Sequence, residues 1–222
     1  MNFVTAREKM VDCQVRPSDV THHELLAAML TVPREEFVED EARELAYLDR
    51  DLEITGQGSG DNQRFMISAA PLSKLMQLAA PTADNVALVV GTGNGYACAV
   101  LSLLVSSVVG IEEDQGLREI ATDNLSRLGY DNVAVLAGEL SEGCEREAPY
   151  DVIFVEGAVN EISQHWLDQL DENGRLVAVV GEGNSAKATL FKKTDGIIGN
   201  REVFNCAIPT LPGFRQEAGF TF

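Results

Sequence analysis

From about residue 65 onward, short apolar runs of four to six residues alternate with stretches of helical periodicity, a βαβ rhythm. Val86-Ala87-Leu88-Val89-Val90 predicts a strand, Ala97 to Leu104 a helix, Val108 to Ile111 a strand and Gln115 to Leu128 a helix. Val133 to Leu136 and Val152 to Val155 predict two further strands. Within these runs apolar and polar residues do not alternate, as expected of strands covered on both faces in a parallel sheet. Leu176 to Val180, Ala188 to Lys192 and Glu202 to Ala207 follow as late strands, the last two joined by a turn at Asp195-Gly196, which predicts an antiparallel edge. Ahead of this region, Phe3 to Phe37 reads as helical, broken at Pro17 and Pro33. Thr21 is the expected N-cap there, with Leu25, Leu26, Met29 and Leu30 forming an apolar stripe. Ala46 to Arg64 is polar and glycine-bearing and reads as one long loop, the kind that serves a site. The expected organisation is a single domain over 1-222, with helices and a substrate-side loop in 1-64 and an α/β core in 65-222.

Composition narrows the class. The 222 residues are 45% hydrophobic and 23% charged, so the chain can bury a sizeable core. A net charge of −18 argues against nucleic-acid binding, which needs a basic face. No apolar run reaches the roughly 18 residues that span a bilayer. The first nine residues carry charge where an export signal places its apolar stretch, so a cytoplasmic protein is expected. Cys13, Cys98, Cys144 and Cys206 lack metal-ligand spacing and read as buried free thiols. His22, His23 and His165 have no partners at ligand spacing, so no metal site is expected. Trp166, the single tryptophan, is expected in the core.

The chemistry-bearing motif is Gly91-Thr92-Gly93-Asn94-Gly95-Tyr96, placed between a strand and a helix. Its glycines fall at every second position, and Tyr96 stands where a dinucleotide-binding loop has its third glycine. That spacing resembles the S-adenosylmethionine loop of Rossmann-like methyltransferases. Glu112 ends the next strand, where open α/β sheets place an acceptor for ribose hydroxyls; Glu113 follows it, and Asp114 suits the N-cap of the helix beyond. Gly138-Glu139-Leu140 ends the third strand at the same sheet edge, within reach of an adenine amino group.

Taken together, several stretches resemble the protein-L-isoaspartate O-methyltransferase family. They are Arg7 to Val11 with Gln14, Ala28-Met29, Val32 to Val38, Ala46 to Asp49 and Val90 to Tyr96 with Ala99 to Leu101. Asn132-Val133, Gly138-Glu139, Ala148 to Ile153, Gln169-Leu170 and Gly174 to Val177 extend the match over nearly the whole chain. The resemblance implies a Rossmann-like fold and S-adenosyl-L-methionine as methyl donor. It also implies methylation of the α-carboxylate of isoaspartyl residues in damaged proteins, with Gly91, Thr92, Gly93, Asn94, Gly95, Glu112, Glu113, Glu139 and Leu140 around the cofactor.

Two departures stand out. The family's serine precedes a proline by a shorter interval than Ser68 precedes Pro71, so Ser68 takes the catalytic place only through a one-residue shift; otherwise it caps the following helix. Where the family has an acid two positions before the glycine loop, this chain has Val89, which predicts cofactor affinity about tenfold weaker unless another group compensates. Glu139 replaces the usual Asp and keeps the charge. Three readings follow: a working isoaspartyl methyltransferase, a divergent relative acting through binding or on another acceptor, and a dehydrogenase, against which Tyr96 counts. The polar loop Gly56 to Gln63 is the expected lid or peptide-binding segment, and Leu211 to Phe222 is expected to cover a sheet edge or a neighbouring subunit.

Overall fold

A computed structural model describes residues 1–54 and 63–214. Seven strands form the main sheet: β3 (Val86–Val90), β4 (Ser107–Glu112), β5 (Val133–Ala137), β6 (Tyr150–Val159), β7 (Leu170–Val180), β8 (Lys187–Thr194) and β9 (Ile197–Asn205). Their order is β5-β4-β3-β6-β7-β8-β9; the first five run parallel, while β8 and β9 are antiparallel. The chain leaves β3 toward β4 and β5, then returns to build β6 and β7 on the other side. A crevice therefore opens between the carboxyl ends of β3 and β6, where ligands of open α/β sheets bind.

Both faces of the sheet are covered, as the unbroken apolar runs require. Ala87 and Val89 of β3 join the core cluster of the N-terminal segment, α3 (Ala69–Ala79) and α4 (Tyr96–Ser102). Leu88 and Val90 face the other cluster, with Tyr150, Trp166 and Leu211. The predicted helix at Gln115 is α5 (Gln115–Leu128), and Asp114 Oδ1 accepts from Leu117 N at 2.9 Å as its cap. Trp166 is fully buried in the short α6 (Gln164–Asp168) and donates its indole N–H to the Leu140 carbonyl at 2.8 Å.

Four expectations are corrected. The N-terminal region is α1 (Phe3–Met10), a π-helical turn at Val11–Val15 and a 3-10 turn at Arg16–Ser18, followed by α2 (His23–Thr31). His22, not Thr21, caps α2 through Nδ1, because Gln77 Oε1 of α3 accepts the N–H of both Thr21 (2.7 Å) and His22 (3.0 Å) and sets the entry point. Leu30 lies at the edge of the apolar stripe and is exposed. The presumed long loop contains two strands, β1 (Leu52–Ile54) and β2 (Arg64–Met66), paired antiparallel with Leu52 opposite Met66. Gly56 to Asn62 of the expected lid lie outside the described residues. Cys98, Cys144 and Cys206 are buried free thiols as expected, whereas Cys13 is exposed. Among the described residues no helix is long and apolar enough to cross a membrane.

Candidate cofactor and acceptor site

The glycine loop turns at the carboxyl end of β3, anchored by hydrogen bonds from Gly91 N (2.9 Å) and Thr92 N (3.3 Å) to the Ile111 carbonyl. Gly91 and Gly93 have φ of 79° and 53°, a backbone region that side-chain-bearing residues rarely adopt. A Cβ on Gly91 would meet Arg64 Nη2 and Leu211 Cδ2, each at 3.0 Å, and one on Gly93 would meet Ile54 Cδ1 at 2.8 Å. Gly95 instead faces Ala121 and Leu125 of α5, which lets that helix pack closely. Thr92 is fully buried, its methyl packed on Gly110, and Asn94 spends its side chain on Phe37 O (2.6 Å) and Tyr96 N (3.3 Å). Those two side chains brace the loop from beneath.

Glu112 ends β4 with no exposed surface. Its Oε2 accepts from Gly93 N at 2.8 Å, and its Oε1 accepts from Arg64 Nη1 at 2.7 Å and Asp114 N at 3.2 Å. The carboxylate thus ties β4 to the loop while the guanidinium from β2 compensates its charge. Glu113, Glu139 and Leu140 line a cleft of about 500 Å³ together with Ser141, Asn160 and Phe214. Burial, then the Glu112 charge, raises the Glu113 pKa from its ordinary value.

The expectation that the segment from Leu211 covers a sheet edge holds for its described part. Beyond β9 the chain returns along β6: Ala158 N donates to Pro209 O and Leu211 N to Ala158 O, both at 2.9 Å. This seats the Leu211 side chain over Gly91 and Gly157, and Phe214 lies 5.4 Å from the Trp166 ring centroid. The C-terminal segment therefore covers the carboxyl edge of its own sheet as far as Phe214; residues 215–222 lie outside the described residues. Glu156, in β6, is 5% exposed, and its Oε2 has no hydrogen-bond partner among the described residues. An acid directly after an apolar strand is the signal that marked Glu112, and it was equally visible at Glu156. Arg64 and Ile54 sit in three-residue strands within polar sequence and gave no such signal.

Ser68 stands at the N-cap position of α3 but makes no capping hydrogen bond. Its N–H and hydroxyl both donate to Asp51 Oδ1, at 2.7 and 3.0 Å. Two residues earlier, Met66 Sδ accepts from the Asn94 amide at 3.4 Å, which ties the end of β2 to the glycine loop. The fully buried Arg34 fixes the same turn, donating to Ile67 O and Ala46 O, each at 2.7 Å.

The profile of the protein-L-isoaspartate(D-aspartate) O-methyltransferase (PCMT) family matches residues 5–212. A protein-L-isoaspartate O-methyltransferase of Koribacter versatilis is 36% identical over 211 residues, covering 95% of this chain and 92% of the relative. One of Methanopyrus kandleri is 36% identical over 224 residues, covering 98% and 95%. Among solved structures, a protein-L-isoaspartate O-methyltransferase aligns with a TM-score of 0.82 at 29% identity, over 93% of this chain and 66% of the other. A Plasmodium falciparum chain solved with S-adenosyl-L-homocysteine has the same fold, with a TM-score of 0.74 at 19% identity over 95% and 98%. The chain belongs to the protein-L-isoaspartate(D-aspartate) O-methyltransferase family.

Proposed function

We propose that this protein is an S-adenosyl-L-methionine-dependent methyltransferase of the cytoplasm that esterifies the α-carboxylate of isoaspartyl residues in damaged proteins. The observation that carries the reading is the meeting of the glycine loop, Glu112, Glu113 and Glu139-Leu140 at one crevice, in a chain of this family. The fit is chemical: a loop open to close backbone approach, a buried acceptor for ribose hydroxyls, and an acidic cleft for the adenine end. The ends of Arg64, Ile54 and Leu211 lie close over the loop and must shift to admit a ligand, as flexible side-chain tips can. Residues 1–222 are read as a single domain, since the N-terminal helices share a core cluster with the sheet.

The bound cofactor supplies a methyl group on a positively charged sulfur. Gly91, Gly93 and the Thr92 backbone hold the ligand against the loop, Asn94 and Gly95 fix the loop on its neighbours, and Glu112 retains lone pairs for hydroxyl donors beside Arg64 and Gly93. An α-carboxyl acceptor, with a pKa of about 3.5, is already ionised at neutral pH, so no base is needed. What remains is orientation and exclusion of water, effects able to supply roughly 7–11 kcal/mol. Ser68 is the group assigned to orient the acceptor, its hydroxyl turning from Asp51 to donate to the carboxylate. Isoaspartyl-containing peptides and proteins are the proposed partners.

A second reading, a divergent member that binds cofactor weakly and acts through binding, is favoured by the Arg64–Glu112 pair and Leu211 closing over the loop. Calorimetric titration with S-adenosylmethionine and S-adenosylhomocysteine, followed by methanol release from a methylated isoaspartyl peptide, separates the two. Saturable binding with ester formation supports the first; absence of both leaves the second.

A further inference from the structure

We propose that Glu156 is the counter-ion for the positive charge of the bound cofactor, so that this residue favours the sulfonium form specifically. This rests on the cofactor reading above and adds a residue that the glycine-loop motif does not contain. Val155 is in register with Val90, the last residue of β3, so Glu156 emerges beside Gly91 at the crevice. The pairing of β6 with β7 slips between Phe154 and Ala158, and such an irregularity re-aims side chains near sites. Glu156 is 5% exposed and its Oε2 is without a partner among the described residues, an arrangement that a buried carboxyl group keeps only at a cost.

The charged groups acting on Glu156 come from several elements. Arg64 of β2 and, more weakly, Arg34 favour its ionised form, whereas Glu112 of β4 opposes it. Cys98 of α4 feels the Glu156 charge in turn, and Glu113 adds a further carboxylate that interacts with Arg64 and Glu112. Burial favours the protonated form of Glu156, and a cation placed against its unpartnered oxygen would favour the ionised form. S-adenosylmethionine carries an ammonium, a sulfonium and one carboxylate, a net charge of about +1 at neutral pH, whereas its demethylated product is neutral overall. Entry of the charged form would therefore stabilise the ionised carboxylate, and loss of the methyl removes that partner.

The test is calorimetric titration of wild type and Glu156→Gln with both ligands at several pH values, because burial raises the Glu156 pKa. Glu156→Gln is expected to lose about tenfold or more for the sulfonium ligand, the size of one charge-assisted interaction, and less than about threefold for the product. Affinity of wild type for the sulfonium ligand should rise with pH as Glu156 ionises, and this dependence should flatten in the variant. Glu156→Asp, which keeps the charge, should retain the selectivity. An equal loss for both ligands, or no loss, overturns the role of Glu156 while leaving the cofactor reading standing. A wild type that binds neither ligand overturns both. Thermal melts of each variant establish that the measured protein is folded.

Discussion

Two side chains show how a residue's partners decide its role. Ser68 offers its hydroxyl to Asp51 rather than to the first turn of α3, so its capping and catalytic roles can be told apart by one substitution. Ser68→Ala should lower the rate of methyl ester formation by about tenfold to a thousandfold, the range for losing one oriented donor. Stability should fall by no more than about 1 kcal/mol, because the Ser68 N–H to Asp51 survives. Methanol release and a thermal melt on the same variant check both halves. Glu156 makes a prediction of the opposite kind. Its folded-state pKa lies well above the ordinary 4.5, chiefly through burial, so the folded protein holds this proton to higher pH than the unfolded chain. The associated stability is complete below about pH 4.5 and is lost as pH rises through the raised value. Glu156→Gln removes that loss, and its melting temperature should exceed wild type by roughly 2–4 °C at alkaline pH, the change that about 1 kcal/mol makes in a domain of this size. An unchanged pH dependence of the melting temperature would count against a buried ionising group. Glu112 and Asp114 were legible in the sequence because strand ends and helix starts mark them. Arg64 was not, since its importance comes from a contact 48 residues away.

At the scale of elements, the strands and helices of the sheet were legible wherever an apolar run was long enough to outweigh its neighbours. β3 and α5 were predicted to the residue, and the turn at Asp195-Gly196 lies between β8 and β9 as expected. The failures share a cause. β1 and β2 are three residues each and depend on one another for hydrogen bonds, so no local pattern announces them. The cap of α2 is set by Gln77, more than fifty residues downstream. The cover over the crevice is likewise built from distant pieces: the β1–β2 pair on one side and Pro209 to Leu211 on the other. Arg34 holds the first of these pieces in place by bonding the carbonyls of Ala46 and Ile67 and lying 4.6 Å above the Tyr96 ring. A lysine has a single ammonium on a flexible stem where arginine has a planar fork, so Arg34→Lys weakens the paired contacts to the two carbonyls and the stacking on Tyr96. A loss of about 1–3 kcal/mol is expected, read as a lower urea midpoint with an unchanged slope. Because the Ile67 carbonyl adjoins Ser68, the KM for peptide should also rise. An unaltered midpoint would mean that Arg34 is not what fixes this turn.

For the whole molecule, the net charge of −18 leaves a field that every approaching peptide must cross. The acids are not confined to remote surface. Glu113, Glu139 and Glu161 line the cleft at the carboxyl edge, and Glu53, Glu119 and Asp123 line a second cleft of about 450 Å³ beside Ile54 and Asn94. Both clefts border the glycine loop or the strand ends, so the site lies where the potential is negative. An isoaspartyl peptide flanked by lysines should therefore be captured faster than one flanked by glutamates, with kcat/KM higher by about tenfold at low ionic strength. The difference should arise in encounter and leave kcat nearly unchanged, since the flanking residues do not touch the reacting carboxylate. Raising the salt from about 0.01 M to about 1 M shortens the screening length from roughly 30 Å to 3 Å and should bring the two peptides together. Measuring kcat/KM for the pair across that range decides the matter. A preference that persists at high salt would place the selectivity in direct contacts within the clefts, and equal values at low salt would mean that the acidic field does not reach the acceptor.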